Sequence, residues 1–154
     1  CRTLIDQMCR TVRDLALGLR PSMLDDFGLQ PALEWHVRDL MQRSGVDVEL
    51  TVEGDLETLP DRHRTCIYRA VQEALTNVIK HAAATKAHVR VSYDDCIGLE
   101  ITDNGNGSRR VRSDGHGLVG MRERVALYGG TIQAGFADGD GFRVRASLPL
   151  EAAP

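Results

Sequence analysis

The sequence has no long apolar run and no basic stripe. No stretch approaches the roughly 18 consecutive apolar residues that a membrane-spanning helix needs, and no signal-peptide pattern opens the chain. Positive and negative side chains are mixed along the 154 residues and the net charge is −3, which argues against direct binding of nucleic acid. The hydrophobic content of 42% is enough for a buried core. These features predict a globular domain of cytoplasmic character.

Cysteine is scarce and lacks metal-binding spacing. The cysteines at positions 1, 9, 66 and 96 form neither a C-x-x-C pair nor a cluster with histidine at zinc spacing. We therefore expect reduced thiols and no structural zinc. The sequence also lacks an initiating methionine and begins inside a helical pattern, so we expect a piece of a longer protein.

Two kinds of periodicity divide the chain. Apolar residues recur every three to four positions in helical segments and every second position in strands. The predicted elements are a helix over 1–19, a connector over 20–28, helices at about 29–44, 60–83 and 118–128, and strands at about 46–52, 87–93, 97–102, 130–137 and 142–150. We expect an α+β fold over residues 29–154: a two-layer α/β sandwich with a mixed, mostly antiparallel sheet and helices on one face.

Four polar residues share one face of the predicted helix over 60–83. At about 100° per residue, Glu73, Asn77 and Lys80 fall within about 60° of one another, with His81 at the border. The Asn77 amide suits Mg²⁺, which needs few protein ligands, and Lys80 can offset phosphate charge. Glu73 could orient a water or the Asn77 side chain, or could equally form an ordinary helix salt bridge. A solvated helix surface is the alternative for this whole face.

A second polar motif, Asp103-Asn104-Gly105-Asn106-Gly107, follows a predicted strand. The Asp103 carboxylate only accepts hydrogen bonds, so it matches the exocyclic amine of adenine and opposes the carbonyl of guanine. Two opposed buried acceptors would cost about 1–3 kcal/mol, so such a site would prefer ATP to GTP. Gly105 and Gly107 would let the backbone pass beside the base. A plain turn is the alternative, because the motif is rich in turn formers.

A third motif, Gly115-His116-Gly117-Leu118-Val119-Gly120, matches the G-x-G-x-x-G pattern of dinucleotide-binding folds. The polar segment 108–114 that precedes it cannot be the buried strand that a Rossmann fingerprint needs. The motif instead favours a polar loop that ends in glycines at a helix N-terminus, where free N–H groups and the helix dipole can hold phosphates.

Taken in order, the three motifs resemble the N, G1 and G2 boxes of sensor histidine kinases, which are Bergerat-fold (GHKL-type) ATPases. Residues 115–124, Gly-His-Gly-Leu-Val-Gly-Met-Arg-Glu-Arg, resemble the subfamily whose partners are helix-turn-helix response regulators. The resemblance implies that Glu73 and Asn77 are catalytic, that Asn77 chelates Mg²⁺, and that the nucleotide contacts Asn77, Lys80, His81, Asp103, Gly105, Gly107, Gly115, His116, Gly117 and Leu118.

The resemblance also implies ligands and partners. ATP and Mg²⁺ would bind this domain, and the γ-phosphate would go to a phosphoacceptor-histidine helix of the same protein and then to a response regulator. The intact protein would be a homodimer. Residues 1–19 resemble only the second helix of the dimerisation hairpin, so the chain alone could be monomeric.

Two further departures from the family's pattern bear on activity. None of the five histidines has the acidic, helical context of a phosphoacceptor, so we do not expect the chain alone to autophosphorylate. Phe142 stands where many relatives carry a threonine whose hydroxyl helps bind adenine through water.

Two other functions stay open. An ATP-hydrolysing relative of the gyrase or mismatch-repair type would use Glu73 as general base, although the short lid and the Arg20-Pro21 connector argue against it. A degenerate kinase domain that only docks partners would bind no nucleotide, whereas the presence of both Asn77 and Asp103 favours binding.

Overall fold

The computed structural model describes residues 3–5, 8, 22–106, 116–137 and 141–150. In these ranges a five-stranded sheet carries helices on one face. The elements are α1 (Ser22–Phe27), α2 (Leu29–Ser44), β1 (Asp47–Glu53), a 3₁₀ turn (Leu56–Thr58), α3 (Asp61–Asn77), a π-helical turn (Val78–Ala82), β2 (Lys86–Tyr93), β3 (Cys96–Asp103), α4 (His116–Ala126), β4 (Thr131–Phe136) and β5 (Phe142–Pro149).

The sheet mixes parallel and antiparallel pairs. Its strand order is β1-β2-β3-β5-β4, with β1 and β2 parallel and the other neighbours antiparallel. A parallel pair needs a long crossover, which α3 and the turn after it supply. Buried and more exposed side chains alternate along β3 and β5, so one sheet face meets the helices. The predicted two-layer sandwich with a mostly antiparallel sheet is confirmed.

The core lies between this sheet and the longer helices. The residues Ile67, Val71 and Leu75 of α3 are fully buried and recur every four positions, as a helical apolar stripe requires. The helix α2 packs on β1 and α3, and α4 packs on α3 and β4. Within the described ranges, no helix combines the length and apolar character that a bilayer crossing needs.

The connector predicted over 20–28 contains a short helix, α1, which the sequence analysis missed. Leu24 in this helix is only 1% exposed and belongs to the hydrophobic core. Gly28, at φ 95°, ends the helix and donates its N–H to the Leu24 carbonyl. The segment is therefore packed on the sandwich. Residues 3–5 and 8 are helical, as expected, and the boundary between the segments 1–19 and 20–28 stays a prediction.

The helix predicted over 60–83 changes its winding before it ends. The α-helix stops at Asn77, and Val78–Ala82 form a π-helical turn. Ala83 follows with φ 50°, a left-handed conformation that is uncommon outside glycine. The expectation of one continuous helix with a 3.6-residue period was therefore wrong for the last five residues.

Two cysteines fall within the described residues, and both are free thiols as predicted. Cys96 is exposed, whereas Cys66 is buried in α3. Burial raises the pKa of the Cys66 thiol to about 11, and this effect outweighs the opposite influence of the nearby Arg124 charge. Cys66 is therefore a packing residue rather than a reactive one, because the thiolate is the nucleophile.

His36 is a partly buried titratable group between α2 and α3. Its ring lies 5.9 Å from the ring of Tyr68, centroid to centroid. Its Nε2 atom is buried and has no hydrogen-bond partner among the described residues. Burial lowers the pKa of His36, and this effect outweighs the opposite influence of the Asp39 carboxylate.

This burial predicts a pH-dependent stability. Because the folded state favours neutral His36, its stabilising contribution is present above pH ~6.5, the unfolded pKa, and is lost as the pH falls toward the folded pKa. Replacing His36 by Gln should therefore flatten the fall in the free energy of unfolding between about pH 7 and pH 5. Urea unfolding at a series of pH values measures this slope. The same slope in both proteins would contradict the prediction.

Candidate functional site

A cavity of about 350 Å³ opens between the end of α3, the π-helical turn, β3, β5 and the start of α4. It brings together seven of the residues that the sequence analysis selected, although they come from three separate motifs. These residues are Glu73, Asn77, Lys80, His81, Asp103, Gly117 and Leu118. The predicted grouping of the three motifs around one pocket therefore holds in the described part of the chain.

The π-helical turn positions the two basic residues of the first motif. A π turn closes i→i+5 hydrogen bonds and so holds one more residue than an α turn. As a result, Lys80 and His81 both follow Asn77 into the lining of the cavity. Lys80 is exposed and His81 is half-buried, so a positive charge stands at the open side of the pocket. The 100° spacing argument selected residues that line one cavity, although the winding from Val78 onward is π-helical rather than α-helical.

Asp103 is a buried carboxylate at the end of β3, with 9% of its surface exposed. Its Oδ1 atom accepts a hydrogen bond of 2.9 Å from the backbone N–H of Gly105. This is the turn that the sequence analysis gave as the alternative, and it occurs in the same residue that lines the cavity. The turn fixes the direction of the carboxylate, so the two interpretations are compatible.

Two glycines leave room around Asp103. A Cβ atom on Gly105 would overlap the carbonyl oxygen of Ala82, the last residue of the π turn. A Cβ atom on Gly141, whose φ is 120°, would overlap the carbonyl oxygen of Asp103. The positive φ of Gly141 depends on its contact with the end of β3 and could not be inferred from the sequence.

Asn104 ties the same loop to the strand that follows the π turn. Its Oδ1 atom accepts hydrogen bonds from the backbone N–H groups of Thr85 and Lys86, both at 3.0 Å. Its Nδ2 atom donates to Thr85 Oγ1 at 2.9 Å. The loop of the second motif is thus fastened to the segment that follows the first motif.

The start of α4 closes another side of the cavity. A Cβ atom on Gly117 would overlap the carboxylate of Glu73 and approach the amide of Asn77, so a larger residue there would require these two side chains to move. The unbonded N–H groups of the first turn of α4 and the positive end of its dipole therefore lie beside the pocket. Gly107, Gly115 and the side chain of His116 lie outside the described residues, although His116 begins α4.

Apolar side chains complete the lining, and sequence analysis did not select most of them. Val78, Ile101 and Val144 line the cavity. The period-two alternation of β3 and β5 places Ile101 and Val144 on the inner sheet face, which is the signal that could have identified them. Phe142 is the β5 partner of Asp103 across the ladder, and its ring packs edge-on against that of Phe136 at 5.2 Å.

The oxygen ligands in the cavity suit a metal ion that binds together with a phosphate group. No cluster of three or more His, Cys, Asp or Glu side chains within the described ranges is arranged to hold a metal ion alone. Asn77 offers one amide oxygen, and Glu73 lies one turn away on the same helix. Mg²⁺ keeps several waters and uses few protein ligands, so this small oxygen donor set fits it.

Comparison with known proteins identifies the family. The family model described as histidine kinase-, DNA gyrase B- and HSP90-like ATPase matches residues 62–152, which include α3, the cavity and β5. The chain belongs to this family. More narrowly, it is the ATP-binding catalytic domain of a sensor histidine kinase, since the family match is joined by curated relatives over most of the chain that are histidine kinases.

Two curated relatives are similar over most of the chain. The signal transduction histidine-protein kinase/phosphatase DegS of Brevibacillus brevis is 32% identical over 152 residues, which are 97% of this chain and 39% of DegS. The sensor histidine kinase MctS of Rhizobium johnstonii is 34% identical over 129 residues, 80% of this chain and 28% of MctS. The chain therefore spans well under half the length of either relative.

A solved structure shows the same fold. The Acinetobacter baumannii histidine kinase AdeS superposes with a TM-score of 0.62 at 17% identity, over 95% of this chain and 80% of that chain. At this identity the likeness supports the fold, and the arrangement of side chains in the cavity has to be argued from this domain itself.

The junction between Gly105 and the π turn predicts a costly substitution. Gly105→Ala would force its methyl group against the Ala82 carbonyl oxygen, and overpacking of this kind costs about 1–3 kcal/mol. Urea unfolding should show that loss. Gly135→Ala is the matched control, because no atom lies within 4 Å of a Cβ placed there. Equal stability of the two variants would contradict the proposed packing.

Proposed function

We propose that this domain binds Mg-ATP in the cavity and presents the γ-phosphate to a histidine outside the chain, for relay to a response regulator. The observation that carries the proposal is the buried Asp103 carboxylate, held by Gly105, in one cavity with Asn77 and Lys80. The three groups match the three parts of the ligand: base, metal and phosphates.

Base selection would come from Asp103. Its carboxylate is an acceptor of hydrogen bonds, and adenine offers a donor in its exocyclic amine, whereas guanine presents a carbonyl at that position. Because Asp103 is buried, an unmatched acceptor there would cost about 1–3 kcal/mol. The apolar side chains Ile101, Val144 and Phe142 would contact the flat faces of the base. ATP is therefore preferred over GTP.

Phosphate binding would come from the opposite side of the cavity. Lys80 supplies a positive charge, and the N–H groups at the start of α4 supply hydrogen-bond donors. Asn77 would ligate Mg²⁺, and Glu73 would orient a water or the Asn77 side chain. The metal, when bound, would neutralise part of the charge on the phosphate oxygens. We infer that Gly107, Gly115 and His116 complete this side.

Phosphoryl transfer would depend on positioning. The attacking histidine nitrogen and the leaving oxygen of ADP need to be in line with the transferred phosphorus, so the domain contributes placement and charge rather than a covalent step. None of the chain's five histidines has the sequence context of a phosphoacceptor, and one of them is deeply buried. His63 is 2% exposed, and its Nε2 atom lies 3.2 Å from the Pro149 carbonyl oxygen. The chain alone should turn over little ATP.

The segments outside the cavity would connect it to its partners. We propose that residues 1–19 belong to the dimerisation helix, 20–28 connect it, and 29–154 form the catalytic domain. The intact protein would be a homodimer that acts in the cytoplasm, where ATP is supplied. We also propose that the response regulator that receives the phosphate is of the helix-turn-helix class.

Nucleotide titration tests the proposal. Calorimetric titration with Mg²⁺ and a non-hydrolysable ATP analogue should show binding that is at least tenfold tighter than for the matching GTP analogue. Asp103→Asn replaces one acceptor oxygen by a donor group. It should therefore weaken binding of the ATP analogue and reduce the difference in affinity between the ATP and GTP analogues. Asp95→Asn, at an exposed hairpin position, is the control and should bind like the wild type.

The other functions predict different outcomes of the same titration. A docking module would show no binding at millimolar nucleotide. An ATP-hydrolysing relative would bind ATP and release phosphate steadily, with that release lost in Glu73→Gln. Either result would contradict the proposed transfer to an external histidine.

A further inference from the structure

A second recess adjoins the nucleotide cavity along the groove between α3 and α4. It has a volume of about 210 Å³ and is lined by Glu73, Gly117, Gly120, Met121 and Arg124. Glu73 and Gly117 line both spaces, so the recess begins where the cavity ends. The groove therefore continues from Asn77 toward the C-terminal half of α4.

Arg124 stands at the far end of this recess. Gly117, Gly120 and Arg124 are spaced three and four residues apart, which puts them on one face of α4. Long side chains in a helix tend to lean toward its N-terminus, which is the end of α4 that borders the nucleotide cavity. No atom lies within 4 Å of a Cβ placed on Gly120, so this route is open.

The charges around the recess favour an anion. Arg124 is half-buried and makes no ion pair with any residue that the structure describes. It also lies close to Arg69 of α3. Burial and, next, the charge of Arg124 lower the pKa of Arg69. An anion placed beside Arg124 would offset the repulsion between these two positive charges.

We propose that Arg124 is a phosphate-binding residue that contacts the terminal phosphate of a bound nucleoside triphosphate through the recess it shares with Glu73 and Gly117. This inference rests on the proposed function, because the phosphate reaches the recess from the nucleotide cavity. The planar guanidinium can hold two phosphate oxygens at once, which a lysine cannot do.

The position of Glu73 explains why a cation is needed there. The Glu73 carboxylate faces the start of α4, and by itself it would repel the phosphate nearest to it. Arg124 lines the same recess and would offset that charge. A nucleotide that ends one phosphate earlier would leave the recess empty, so Arg124 should distinguish triphosphates from diphosphates.

The test compares triphosphate and diphosphate binding. In calorimetric titrations of the 154-residue chain, Arg124→Gln should weaken binding of the non-hydrolysable ATP analogue about tenfold, or about 1.4 kcal/mol, and leave ADP binding within twofold. Arg122→Gln is the matched control, because Arg122 is exposed on the same helix and outside the recess. Arg124→Lys keeps the charge and should recover part of the lost affinity. Thermal unfolding verifies that each variant is folded.

The outcomes separate this inference from the proposed function. If Arg124→Gln lost the same affinity for ATP as for ADP, or lost affinity for neither, the role of Arg124 would be overturned. Binding of the ATP analogue to the wild type would still support the nucleotide site in that case. If the recess instead receives an acidic group of a partner protein, Arg124→Gln would leave the nucleotide affinities unchanged. That result would overturn the inference. Failure of the wild type to bind the ATP analogue would overturn both.

Discussion

The arrangement of the nucleotide site depends on the contact between the loop after β3 and the π-helical turn after α3. Gly105 lies against the last carbonyl of that turn, and its N–H holds the carboxylate of Asp103. Asn104 fastens the same loop to the backbone of Thr85 and Lys86. One short segment thus sets the direction of the carboxylate that we propose recognises the base, and it anchors the loop beside the turn that follows Asn77.

Charge is distributed along the groove that leads away from this junction. The base end of the cavity has a buried carboxylate and apolar walls, whereas the open end has Lys80 and the positive end of α4. Glu73 lies near the proposed phosphate end, and it lines the second recess together with Arg124. A ligand with an uncharged base and a polyanionic tail matches this order of charges from one end of the groove to the other.

Sequence periodicity was enough to predict the sandwich, and the three motifs supplied seven residues of the cavity lining. Alternation along β3 and β5 and the four-residue recurrence in α3 are local signals, and the helix predicted over about 29–44 ends at Ser44. The short helix α1 was missed because Pro21 and Gly28 are strong turn signals, whereas the burial of Leu24 depends on contacts distant in sequence.

The remaining errors have the same physical origin. The end of the π-helical turn packs against Gly105, which lies more than twenty residues further along the chain, so no local pattern indicates this contact. Arg124 was not selected as a site residue because its spacing from Gly117 and Gly120 is that of any helix face. Its proximity to Arg69 appears only when α3 and α4 are packed together.

The most direct test of the account is whether the Asp103 carboxylate accepts a hydrogen bond from the adenine amine. A double-mutant cycle would compare binding of ATP and of purine riboside triphosphate, which lacks that amine, to the wild type and to Asp103→Asn. The account predicts that removing the amine weakens binding to the wild type about tenfold and does not weaken binding to the variant. Equal losses in both proteins would contradict it.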